Sequence, residues 1–144
     1  MADRVVLDAH AILAFLGEEP GWAEVDEVLR SGEPWMTLVN LGEVAYVIER
    51  SSGRAAADEV WANLRAESRP GGVPVRWLEI DDNLVRRAAG IKVQGGMSYA
   101  DACAAAAASV LVCPVLTGDQ EFRVAEKVGV AVRWLGQGRL GGTS

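Results

Sequence analysis

The stretch Arg4-Val5-Val6-Leu7-Asp8-Ala9-His10-Ala11-Ile12-Leu13-Ala14 decides how this chain folds. An apolar run of strand length, Arg4 to Leu7, stops at an acid and passes at once into helical spacing over Ala9–Leu16. The same alternation recurs downstream. Strands are expected at Val73 to Leu78, Pro114 to Thr117 and Ala131 to Trp134, with a brief edge strand at Trp35-Met36. Helices are expected near Gly21–Ser31, Leu38–Ser51, Arg54–Ser68, Asp82–Gln94, Tyr99–Ser109 and Gln120–Val128. Pro20, Gly32, Gly53, Pro70-Gly71-Gly72 and Gly95-Gly96 mark the boundaries between them. Short strands alternating with helices give an α/β fold, with a short, mostly parallel central sheet flanked by helices on both faces.

With 144 residues, half of them hydrophobic, the chain can bury a core of its own. No repeat or low-complexity linker divides it. One domain is expected over residues 1–135, followed by a flexible Gly-rich tail over residues 136–144. The formal net charge of -6 argues against a sequence-blind coat on a polyanion, which draws on clustered Lys and Arg. Cys103 and Cys113 stand ten positions apart, outside any C-x-x-C pair, and read as small residues of a reduced protein. The start Met1-Ala2-Asp3-Arg4 has no basic region leading into a long apolar stretch. The alanine run Ala104 to Ala108 is too short to span a bilayer, so a cytoplasmic protein with no membrane contact is expected.

Asp8 has three counterparts that interrupt apolar surroundings in the same way. They are Glu43 in Asn40-Leu41-Gly42-Glu43-Val44, Asp101 in Ser98-Tyr99-Ala100-Asp101-Ala102, and Asp119 in Leu116-Thr117-Gly118-Asp119. Each has an ordinary explanation. Asp8 and Asp119 precede helices they can cap, and Asn40-x-x-Glu43 and Ser98-x-x-Asp101 read as capping boxes.

The joint pattern says more. Glu43 lies at helical spacing from Val39, Tyr46 and Val47, and Asp101 from Met97, Ala104, Ala105 and Ala108, so both project from apolar faces. Asp8 and Asp119 stand at the carboxyl ends of two strands, where open parallel sheets bind ligands. Gathered in one cleft, the four repel: unit charges about 4 Å apart cost roughly 1 kcal/mol in water and about 4 kcal/mol at an effective dielectric near 20. A hard divalent cation removes that penalty, and oxygen ligands suit Mg²⁺ or Mn²⁺. Zinc does not fit, because His10 is the only histidine and has no cysteine beside it. Carboxylate-held Mg²⁺ or Mn²⁺ points to phosphodiester hydrolysis.

These motifs, in this order from Val5 to about Leu135, resemble the PIN-domain ribonucleases, and the VapC-type toxins of type II toxin–antitoxin systems in particular. The resemblance implies a PIN-like three-layer fold and a Mg²⁺- or Mn²⁺-dependent endoribonuclease acting on RNA. It implies Asp8, Glu43 and Asp101 as the principal metal-binding and catalytic acids, Asp119 as the more variable fourth, and Thr117 beside the pocket. It also implies a homodimer and a cognate antitoxin that docks near the site. His10 departs from the family's usual Ser or Asn; it either packs at the helix start or touches the substrate phosphate. Asn40 joins His10 and Thr117 as a supporting residue of the pocket.

Two further sets carry weaker expectations. Arg50, Arg54, Arg65 and Arg69 lie on two consecutive helices and either track RNA or form a solvated face; Trp22, Trp35, Trp61 and Trp77 either line an antitoxin groove or belong to the core. The competing functions are a PIN nuclease of RNA processing or DNA cleavage that is not a toxin, and a non-catalytic PIN-fold interaction module. A phospho-acceptor receiver, which also carries acids at strand ends, is disfavoured: its third strand would end in Leu78-Glu79-Ile80-Asp81 and its fifth in Arg133-Trp134-Leu135, with no lysine where that domain needs one.

Overall fold

A computed structural model describes residues 3–136, so the tail expected over 136–144 lies outside the described residues apart from Gly136. Strand β1 (Arg4–Leu7) runs into α1 (Ala9–Leu16) and α2 (Trp22–Ser31), then β2 (Glu33–Met36). The helical hairpin α3 (Leu38–Ser52) and α4 (Arg54–Arg65) precedes β3 (Arg76–Trp77), α5 (Asp82–Lys92) and α6 (Tyr99–Leu111). The described chain closes with β4 (Val115–Thr117), a 3-10 turn (Gln120–Phe122), α7 (Arg123–Lys127) and β5 (Val132–Trp134).

The strands form one sheet in the order β3-β2-β1-β4-β5, with every pairing parallel. Alternation along the strands splits the core into two layers. Val6 and Val115 face α5, α6 and Phe122, whereas Val5, Leu7 and Leu116 face α1, α2, α3 and Leu64 of α4. Both faces of the sheet are therefore covered, which is why β1 and β4 are apolar at successive positions instead of alternating with polar ones.

Several expected boundaries shift for physical reasons. The segment expected as an edge strand at Trp35-Met36 is a four-residue strand paired on both sides, to β1 and β3. Pro34 sits in it opposite Val5 despite lacking an N–H. The edge on that side is β3, reduced from Val73–Leu78 to two residues. Helix α4 ends at Arg65, because Ala66 turns extended, so Arg69 lies in the following loop, where its Nη1 donates to the Val73 carbonyl at 3.0 Å. The last expected helix divides into the 3-10 turn and the short α7.

Candidate functional site

Strands β1 and β4 are neighbours with Leu7 opposite Leu116, and the chain leaves them in opposite directions across the sheet. This is the switch point at which an open α/β sheet forms a crevice beyond its strand ends. Asp8 follows β1 directly and Asp119 stands two residues beyond Thr117, so both enter that crevice.

One hydroxyl joins them. Thr117 Oγ1 donates to Asp8 Oδ2 at 2.6 Å and accepts the Asp119 N–H at 3.0 Å. Asp8 Oδ1 accepts the Ala11 N–H at 2.8 Å, so the capping role is real, and the acid is nevertheless fully buried. Burial pushes its carboxyl up to about 7, against the opposing pull of the Thr117 and Ala11 hydrogen bonds, and Asp119 and Glu43 add repulsion.

The other two acids arrive from helix starts. The expected box Asn40-x-x-Glu43 does not form: Thr37 is the N-cap of α3, its Oγ1 accepting the Asn40 N–H and donating to Asn40 Oδ1 at 2.7 Å. Asn40 is thereby a buried strut, its Nδ2 donating to the Ala100 carbonyl at 3.0 Å and tying the start of α3 to the start of α6. That tie fixes Glu43 relative to Asp101. Glu43 Oε1 is buried with no hydrogen-bond partner, and burial, then Asp119 and Glu121, raise its carboxyl above the usual range. Asp101 is 6 % exposed; burial raises its carboxyl first, followed by a hydrogen bond with Glu121 and repulsion from Asp119, Asp8 and Glu43.

All four expected acids thus share one field. Among the described residues, none of them forms an ion pair with Lys or Arg. A fifth acid, Glu121, stands exposed at the rim of the four: Asp101, Asp119 and Glu121 each present a carboxylate oxygen within 4.8 Å of the others. Sequence spacing does not reveal it, because Glu121 sits in what resembles a solvated helix, yet the tight turn after Asp119, whose Oδ1 accepts the Glu121 N–H at 2.9 Å, brings its exposed side chain to the edge of the crevice. The donors are all oxygen, one buried oxygen is unpartnered, and no cation compensates them. The set fits Mg²⁺ or Mn²⁺.

His10 is exposed and lies against Gly118, so that a Cβ added to Gly118 would stand 2.6 Å from His10 Cε1 and 3.2 Å from Nδ1. The ring packs over the loop that carries Asp119. The arginines form no open track. Arg50 stacks on Tyr46, Arg65 on Trp77, and Arg54 pairs with Asp58. Nor do the four tryptophans share a groove: Trp35 and Trp77 pack against opposite core layers, and Trp61 alone of the four joins Gly42, Ala45, Tyr46, Glu49 and Arg50 around a hollow of about 530 Å³ between α3 and α4. No helix among the described residues is long and apolar enough to cross a membrane.

The sequence model of the PIN domain family matches residues 5–128. The comparison with curated proteins found no match. Among solved structures, the chain is similar to VapBC2 from Rickettsia felis bound to a DNA fragment from its promoter, at 9% identity and a TM-score of 0.67, over 92% of this chain and 98% of that one. It is also similar to the sarcin-ricin loop cleaving toxin VapC20 of Mycobacterium tuberculosis, at 18% identity and a TM-score of 0.64, over 88% and 96% of the two chains. A toxin–antitoxin complex from Klebsiella pneumoniae gives 11% identity and a TM-score of 0.60, over 82% and 89%. At these identities the likeness is one of fold.

Proposed function

The chain belongs to the PIN domain family, and from that premise we propose that it is a metal-dependent endoribonuclease, the toxin of a toxin–antitoxin pair, with residues 1–135 as its catalytic domain. The observation that carries this reading is the convergence of Asp8, Glu43, Asp101 and Asp119 on one crevice with no compensating cation and with Glu43 Oε1 left unpartnered. A structural module has no use for such repulsion. These four acids would hold Mg²⁺ or Mn²⁺ and carry the catalysis. When bound, the ion supplies positive charge for phosphodiester oxygens and lowers the pKa of a water.

The chain's own residues supply the rest. The Thr117 hydroxyl holds the Asp8 carboxylate and the backbone of Asp119 in one arrangement, and Asn40 keeps α3 and α6 in register. Glu43 Oε1, buried and free of any protein donor, keeps its lone pairs available to such an ion. His10, exposed over Gly118, would in this reading meet the substrate phosphate. A His10→Ser protein with an unaltered pH–rate profile would remove His10 from this account.

Partners follow the same reading. The hollow between α3 and α4 begins at Gly42, next to Glu43, and its exposed Tyr46 and Trp61 suit an apolar segment of an antitoxin. A cytoplasmic homodimer is the proposed resting form, open to test by sedimentation. The decisive experiment incubates purified protein with structured RNA in Mn²⁺, Mg²⁺ or EDTA, with Asp101→Asn alongside. Discrete cleavage that requires metal and disappears in the variant is expected; cleavage that survives in EDTA or in the variant overturns the assignment.

A further inference from the structure

The N-terminus of α6 divides its capping hydrogen bonds between two parts of the chain. Ser98 is the N-cap and Asp101 the third helical residue, the spacing of a reciprocal capping box. Half of the box is made: Ser98 Oγ accepts the Asp101 N–H at 3.1 Å. The other half, in which the third-residue carboxylate accepts the N-cap N–H, is not made by Asp101. Ser98 N–H donates instead to Glu121 Oε1 at 3.1 Å, 23 residues downstream.

Glu121 reaches this point from a rigid support. Its own N–H is held by Asp119 Oδ1 at 2.9 Å, and the next residue, Phe122, is fully buried. With Ser98 N–H already satisfied, the Asp101 carboxylate has no local backbone partner; it is hydrogen-bonded to the Glu121 side chain and lies within 4.8 Å of the Asp119 and Glu121 oxygens, so Glu121 holds it directly as well as through the cap.

We propose that Glu121 is a positioning residue: by capping α6 in place of Asp101, it keeps the Asp101 carboxylate turned into the crevice. Remove Glu121 and Ser98 N–H becomes an open donor one side-chain rotation from Asp101, which closes the ordinary box and leaves the cluster. The consequence for metal binding rests on the reading of the crevice as a metal centre; the cap does not.

Two readouts separate these layers. In metal-free protein, exchange of the Ser98 amide is followed by NMR in wild type, Glu121→Ala, and Glu121→Ala with Asp101→Ala. Protection is expected to persist in the single variant, where Asp101 takes over the cap, and to fall about tenfold in the double variant. Loss of protection in the single variant would mean that Asp101 does not move, and would overturn the proposal. Mn²⁺ calorimetry supplies the second readout: Glu121→Ala is expected to weaken binding about 10–100-fold, whereas Glu121→Gln, which keeps an acceptor for Ser98 N–H, stays within about threefold of wild type. Equal losses in both variants would make the Glu121 charge itself the requirement and refute a positioning role. If the wild type binds no Mn²⁺, the metal reading fails while Ser98 exchange still decides the cap.

Discussion

Arg4 and Asp8 stand at opposite ends of the same short run of chain, and the sheet treats them in opposite ways. Arg4 Nε lies 3.1 Å from Glu33 Oε2, its Nη1 donates to the Leu111 carbonyl, and its guanidinium stacks over Trp35. Glu33 accepts the Trp35 indole N–H as well, and this bond, then Arg4, holds its carboxyl below the usual range. Four residues later Asp8 has a hydroxyl and one backbone N–H but no cation, and it is surrounded by acids. At the amino end of β1 the charge is paired. At the carboxyl end of the sheet the charges are left unpaired, at a cost in stability that a bound cation would remove.

The contrast is broken most sharply by neutralising the unpaired end. Asp8→Asn and Asp101→Asn are each expected to reduce metal-dependent RNA cleavage by about 100-fold or more, since even outer partners of a metal site are worth 10–100-fold. The same changes should raise the melting temperature of the metal-free protein at pH 8 by a few degrees, because a charge disfavoured first by burial and then by repulsion is removed. Gel assays and calorimetry check the two effects; a lowered melting temperature would contradict the unpaired-charge picture.

Acidity probes the same end without mutation. Asp8 is held near 7 in the folded state against 3.8 ordinarily. Between those values the folded protein binds more protons than the unfolded chain, so metal-free stability falls as pH rises from about 4 to about 7, by on the order of a few kcal/mol. Melting temperatures should therefore be higher at pH 5 than at pH 8, and saturating Mn²⁺ should reverse that order. A melting temperature that climbs with pH in EDTA would rule this out.

Thr117→Val keeps the shape of the strand end but strips Asp8 of its donor and Asp119 of its acceptor. A loss of about 1–3 kcal/mol in urea unfolding is expected, mostly recovered by Thr117→Ser. The paired end responds least. Arg4→Ala opens a half-exposed ion pair, and should cost no more than about 1 kcal/mol with cleavage unchanged.

What could be read beforehand follows from the same contrast. Asp8, Glu43, Asp101 and Asp119 were legible because an acid in an apolar frame is anomalous on local grounds, and the βα alternation around them placed the first and last at strand ends. Glu121 was not legible, because its role depends on a bond to Ser98 across 23 residues and on a turn tighter than an α-helix. Asn40 was misassigned as a cap although Thr37 stands three residues earlier with the stronger capping geometry. The internal position of β2 was hidden by Glu33-Pro34, which reads as poor strand sequence, and by a neighbour only two residues long. Local chemistry reveals which residues are unusual; which of them meet is decided by topology.

Helix α6 carries Asp101 on its first turn and then a run, Ala102 to Ala108, in which every side chain is buried. Alanine has no rotamers through which a neighbour's movement can be absorbed. The most chemically featureless segment of the molecule is therefore expected to be among its least mutable: any larger side chain there would have to shift the helix bodily, and Asp101 would shift with it. A saturation scan scored for activity should find a band of intolerance along these alanines as deep as that at the acids.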